Sequence, residues 1–233
     1  MTPDFDITGT GPVLLLLPGG AGHPMGLGPL TARLAHRFTV VTYDPLGLAH
    51  GRLGQPVADQ RPQDWADGAD RVLAAVLPPG GRGYVFGTSS GGVAALALAA
   101  RHPERLAHVV AHEPPCALVL PDGAERRREL IAALDGPDRP PAEGPEATPM
   151  GVFLAHVLRP FTAYVPAPRP PRPPRLTLAA GTDARGQLPH RVAEFLADGS
   201  LLELPGGHLG TLEHPVEFAD RLTEALESSS VEG

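Results

Sequence analysis

The sequence predicts an α/β fold: a mostly parallel central sheet with helices on both faces and a short helical cap. Three observations carry this expectation. Short apolar runs that read as buried strands alternate with amphipathic stretches of helical spacing. One strand, Tyr84 to Phe86, runs through Gly87-Thr88-Ser89-Ser90-Gly91-Gly92 straight into an Ala/Leu-rich stretch, which is the strand, turn and helix of a nucleophile elbow. The alternation breaks in one place, between about residues 116 and 175, as an insertion would break it.

Val13 to Leu17 is too short for a helix and reads as a buried strand, ending at Pro18-Gly19-Gly20-Ala21-Gly22. Leu27, Leu30, Leu34 and Ala35 recur at helical spacing, and Phe38 to Tyr43 is the next buried strand. A polar loop follows to about Arg61. From Gln63 to Leu77 the residues Trp65, Ala69, Val72, Leu73 and Val76 form one apolar helix face, stopped by Pro78 and Pro79. The elbow strand and its helix come next, then a strand over Leu106 to His112 closed by Glu113-Pro114-Pro115. The insertion holds two amphipathic pieces, Ala124 to Leu134 and Met150 to Leu158, separated by a Pro/Gly/acidic stretch. It returns through PAPRPPRPPR, whose prolines favour a stiff extended connector. Strand Leu176 to Ala180, helix Pro189 to Ala197, strand Leu201 to Leu204, the loop Pro205 to Gly210 and helix Pro215 to Leu226 complete the chain, with a frayed tail from Glu227. The domain reading is a core of residues 1–115 and 176–233 with a cap insertion at 116–175. In such a sheet the ligand site belongs at the carboxyl ends of the strands.

Composition narrows the chemistry. A net charge of −7 leaves no nucleic-acid footprint. All 19 basic residues are arginine, which removes Schiff-base and Walker lysines and with them pyridoxal phosphate enzymes. The bias toward Ala, Gly, Pro and Arg fits a GC-rich bacterial genome. The single cysteine, Cys116, excludes an intramolecular disulfide and points to a cytoplasmic chain. The N-terminus lacks the basic and apolar regions of a signal peptide, and no apolar run there approaches a membrane span. No His/Cys/Asp/Glu group has metal-ligand spacing, and no cofactor is implied. Arg126-Arg127-Arg128 reads as a solvated helix face rather than an anion clamp.

Within the elbow, Ser89 is flanked two residues away by Gly87 and Gly91, whereas Thr88 stands two before Ser90. Only Ser89 therefore has room on both sides for a strained turn that exposes its hydroxyl. At this point the chain resembles the α/β-hydrolase superfamily over nearly its whole length. The likeness rests on VLLLL with PGGAG, FTVVTY with DPLG, FGTSSGG, AHVVAHEPP, the insertion, LTLAAG, and a late PGGHLG before a helix.

That resemblance implies a serine nucleophile, then an acid, then a histidine in chain order. Of ten histidines only His208 follows the last strand in a glycine-flanked loop, where a base could reach Ser89. The resemblance also implies an oxyanion hole from the backbone N–H groups of Ser90 and Gly20, with Ala21 the neighbouring alternative. Two carboxylates compete for the acid. Asp183 stands near the commonest family position but one residue early after Gly181. Glu113 stands at a second position used by some members, and is favoured because the Asp183 spacing is off. A serine at the elbow disfavours the epoxide hydrolase and haloalkane dehalogenase reactions, which use aspartate there.

The expected function is a serine hydrolase cleaving a small or medium ester, thioester or lactone, with a small-molecule substrate and neither nucleic acid nor membrane as partner. Leu118, Phe153, Leu154, Val157 and Phe161 are candidates to line its pocket, although most such residues pack a cap to its sheet. Two alternatives stay open: a cyclase or lyase of secondary metabolism on the same fold, and a ligand-binding protein with a weakened triad. The sequence leaves the oligomeric state and the substrate open.

Overall fold

Strands buried on both faces need continuous apolar runs, and β2 (Val13–Leu17) is such a run, with Leu14 to Leu17 buried. The computed structural model describes residues 3–134, 146–167, 173–197 and 199–228. The acidic stretch inside the insertion, the middle of its Pro-rich return and the end of the tail lie outside the described residues. The sheet has seven strands: β1 (Asp4–Thr8), β2, β3 (Thr39–Asp44), β4 (Gly83–Thr88), β5 (Leu106–His112), β6 (Arg175–Gly181) and β7 (Leu201–Leu204). Their spatial order is β1-β3-β2-β4-β5-β6-β7. Every neighbouring pair is parallel except β1 with β3.

β1 is the strand that the sequence reading lacks. It is an edge strand whose residues are exposed or half-buried, so its alternation of Phe5 and Ile7 with polar residues makes only a weak apolar signal. Most other elements fall within a residue or two of expectation; the second piece of the insertion runs on to Thr162 rather than ending at Leu158, and a kinked turn over Leu48–Arg52 and a short helix at Gly210–Glu213 are additional.

Alternate strand residues feed two cores. Leu15, Leu17, Val41, Val85, Val109 and Leu178 face α2 (Pro62–Val76), α3 (Ser90–Arg101) and α7 (Leu188–Ala197). Leu14, Leu16, Val40, Phe86, Val110 and Ala179 face α1 (Gly28–Leu34) and α9 (Pro215–Glu227) on the other side. The segment between β5 and β6 contributes α4 (Gly123–Leu134) and a continuous helical stretch formed by α5 (Pro149–Val152), a wider turn at Phe153–Val157 and α6 (Leu158–Thr162). Phe161 fastens that stretch to α2 by packing edge-on against Trp65, with ring centroids 4.7 Å apart. Among the described residues no helix is long and apolar enough to cross a membrane.

Candidate active site

The turn from β4 into α3 puts Ser89 at φ 54°, ψ −121°, a conformation that costs a non-glycine residue about 1–3 kcal/mol and persists only when its surroundings enforce it. The surroundings here are backbone. A Cβ on Gly87 would collide with the Gly91 carbonyl, and one on Gly91 with the Leu17 carbonyl. The Ser89 N–H donates to the His112 carbonyl at 2.9 Å, and its own carbonyl accepts from the Val93 N–H at 3.1 Å as α3 begins. The hydroxyl is thus held at the carboxyl end of β4 and is partly exposed.

His208 enters from the loop between β7 and α8 (Gly210–Glu213). Its Nε2 lies 3.2 Å from Ser89 Oγ and its Nδ1 lies 2.6 Å from Glu113 Oε2. A carboxylate only accepts hydrogen bonds, so Nδ1 carries the imidazole proton and donates it to Glu113. Nε2 is then the acceptor, facing the serine hydroxyl.

Glu113 leaves β5 at φ 44°, which makes Ser89 and Glu113 the two non-glycine residues with positive φ among the described residues. Its side chain is fully buried, and its other oxygen accepts the Gly181 N–H at 2.9 Å. Burial pushes the carboxyl upward. The His208 hydrogen bond, the neighbouring His112 and the Gly181 N–H outweigh it and hold the group below the ordinary carboxylate value.

Asp183 is not brought to the histidine. It sits in a single tight turn at Thr182–Ala184, is exposed, and its carboxylate accepts from the Thr182 hydroxyl. What residue 183 gives the site is its backbone N–H, which donates to the Gly206 carbonyl at 3.0 Å and anchors the histidine loop.

The loop after β2 runs against Ser89. A Cβ added to Gly19 would lie 3.1 Å from Ser89 Cβ. The following turn closes by Gly22 N–H to Gly19 carbonyl at 2.9 Å, with Gly20 at φ 58°. Among the described residues no backbone carbonyl accepts from the N–H of Gly20 or Ser90.

Of the apolar pocket candidates, Leu154, Val157 and Phe161 are buried, the last two in the core shared with α2 and α3. Phe153 is partly buried and Leu118 partly exposed. The arginine run splits by role. Arg126 pairs with Glu129, Arg127 bonds the Thr162 hydroxyl and the Arg159 carbonyl, and Arg128 is exposed. Asp70, His102 and Glu104 converge closely enough to hold a cation, yet the Arg105 guanidinium already lies 2.7 Å from Asp70 and 3.2 Å from Glu104. A cavity of about 490 Å³ lined by His36, Arg37, Phe38 and Tyr84 opens at the amino ends of β3 and β4. That is the wrong end of the sheet for Ser89, and the convergence of polar groups locates the site better than volume does.

Comparison with known proteins agrees with this architecture. A family model described as Alpha/beta hydrolase family matches residues 14–221. An uncharacterized hydrolase, YraK, from Bacillus subtilis (strain 168) is 28% identical, over 96% of this chain and 92% of its own. Among solved structures, the enol-lactonase from Burkholderia xenovorans LB400 is 20% identical with a TM-score of 0.63, covering 98% of this chain and 96% of that one. A thermophilic esterase from Thermogutta terrifontis is 19% identical with a TM-score of 0.67, covering 97% and 93%. The chain belongs to the alpha/beta hydrolase family and is an enzyme of that family.

Proposed function

We propose that this enzyme is a serine hydrolase that cleaves a small or medium ester, thioester or lactone through an acyl-enzyme. The carrying observation is the continuous relay from Ser89 Oγ to His208 Nε2 at 3.2 Å and from His208 Nδ1 to Glu113 at 2.6 Å. Ser89 attacks the substrate carbonyl while Nε2 takes its proton, and Glu113 holds the resulting imidazolium in place. The N–H groups of Gly20 and Ser90 receive the oxyanion. Collapse expels the alcohol, thiol or lactone oxygen with the proton returned from Nε2, and water activated by the same nitrogen releases the acid. Residues 116–175 act as a cap over a core of 1–115 and 176–233. The esterase and lactonase among the structural neighbours agree with carbonyl chemistry of this kind. An intact relay argues against a binding protein with a weakened triad.

The test is covalent labelling. A serine-reactive fluorophosphonate should add once to the wild-type protein and not to Ser89→Ala, and the same variant should lose p-nitrophenyl ester turnover to background. An adduct that persists in Ser89→Ala removes the acyl-enzyme mechanism.

A further inference from the structure

We infer that Thr88 and His112 form a buried clamp that sets the distance between the nucleophile and its acid, making both positioning residues of the reaction. The inference rests on reading Ser89, His208 and Glu113 as the hydrolytic relay. His112 is fully buried in the last position of β5, and Thr88, 7% exposed, is its register partner at the end of β4. Their side chains meet, His112 Nδ1 to Thr88 Oγ1, at 3.0 Å.

The next residue on each strand is one of the two strained corners, Ser89 after Thr88 and Glu113 after His112. The side-chain bond therefore joins the two strand ends at the last residues before nucleophile and acid diverge. The His112 carbonyl, which receives the Ser89 N–H, doubles the tie. The imidazole also reaches the third partner's support: its ring stands at 89° to Phe218 of α9, with centroids 5.3 Å apart. Phe218 in turn packs beside Gly210, two residues beyond His208. The ring thus ties the two strands that carry Ser89 and Glu113 directly, and the loop of His208 through Phe218.

A polar ring in this place is costly. His112 Nε2 is buried with no hydrogen-bond partner among the described residues, and Phe86 flanks the ring on another side. The tautomer protonated at Nδ1 leaves a bare lone pair rather than an orphaned N–H, and donates to the Thr88 oxygen. A core position that needed only packing would be filled by leucine or phenylalanine at less cost. What the imidazole adds is a directional bond to the residue before the nucleophile.

Thr88→Val removes the hydroxyl at nearly constant shape, and His112→Leu removes the ring nitrogen. Thr88→Ser keeps the hydroxyl, and His112→Asn returns a donor near the Nδ1 position. With p-nitrophenyl acetate, the two removing variants should lose about tenfold in kcat with KM changed by less than about twofold, because a small displacement of reacting groups is felt in the transition state. Fluorophosphonate labelling should slow in parallel, and the conservative pair should recover most of both. The downfield proton NMR signal of His208 Nδ1–H, bonded to Glu113, should shift or broaden in Thr88→Val. Unchanged kcat per labelled site and an unmoved signal in Thr88→Val overturn the clamp, even if that variant is less stable. A wild-type protein that does not label removes the hydrolase reading instead, and the NMR signal then decides the clamp by itself.

Discussion

Glu113 and Asp183 stand at the ends of adjacent strands, yet only one of them faces the imidazole. Glu113 leaves β5 at a positive φ, one of its oxygens meets the His208 ring, and the other is held by the Gly181 N–H at the end of the neighbouring strand. Asp183 is spent on a surface turn. Replacing Glu113 by glutamine keeps the shape but replaces a carboxylate with a neutral amide, which under the proposed mechanism would no longer stabilise the imidazolium. In p-nitrophenyl ester assays Glu113→Gln should lower kcat by about 100-fold or more. Asp183→Asn should stay within about twofold, since its backbone N–H, the part that anchors the histidine loop, is retained. A collapse of kcat in Asp183→Asn alone would reverse the assignment.

At the scale of elements, the elbow is held by steric exclusion, and its glycines differ sharply from one in open space such as Gly28. Gly91→Ala places a methyl group into the Leu17 and Pro18 carbonyls, so strand β2, the turn and α3 cannot all keep their places. A loss of several kcal/mol is expected, at the upper end of single substitutions. Gly28→Ala, at the start of α1 with open space around it, should be neutral or stabilising by up to about 1 kcal/mol. Urea unfolding of the two variants checks the contrast. The same exclusion explains why the elbow was legible from residue spacing alone: glycine two before and two after a serine is a steric requirement written directly in the sequence. Buried strands were legible for a related reason, since burial on both faces demands unbroken apolar runs. β1 was not, because an exposed edge makes no such demand. The choice between carboxylates stayed open because it depends on backbone direction at two strand ends. One signal was nevertheless present: a glutamate at the end of a wholly buried strand must find a partner. The Thr88 to His112 contact pairs residues on two strands and left no local pattern to read.

At the scale of the whole molecule, the buried histidines predict how the fold answers acid. Burial lowers His112 to about 4, with Glu113 pulling the other way and His208 reinforcing the fall. His108, in the same strand and bonded to the Thr177 hydroxyl, is likewise lowered to about 4, by burial first and by Arg175 second. In the unfolded chain both rings titrate near 6.5. Between about pH 6.5 and 4 the unfolded state therefore binds more protons than the folded one, and stability must fall as the pH drops through that window. For either ring the full effect is on the order of 3 kcal/mol. His50 opposes them: its bond to Asp44 raises it, so it favours the folded state as the solution is acidified, weakened by its partial exposure. Glu113, held below its ordinary value, keeps its charge through most of the window. Urea unfolding at pH 7, 6 and 5 should show stability declining stepwise in the wild-type protein. His112→Asn removes one of the two titrating rings and should flatten that decline while leaving the contribution of His108. A wild-type protein equally stable at pH 7 and 5 would mean that neither ring is held neutral by the core.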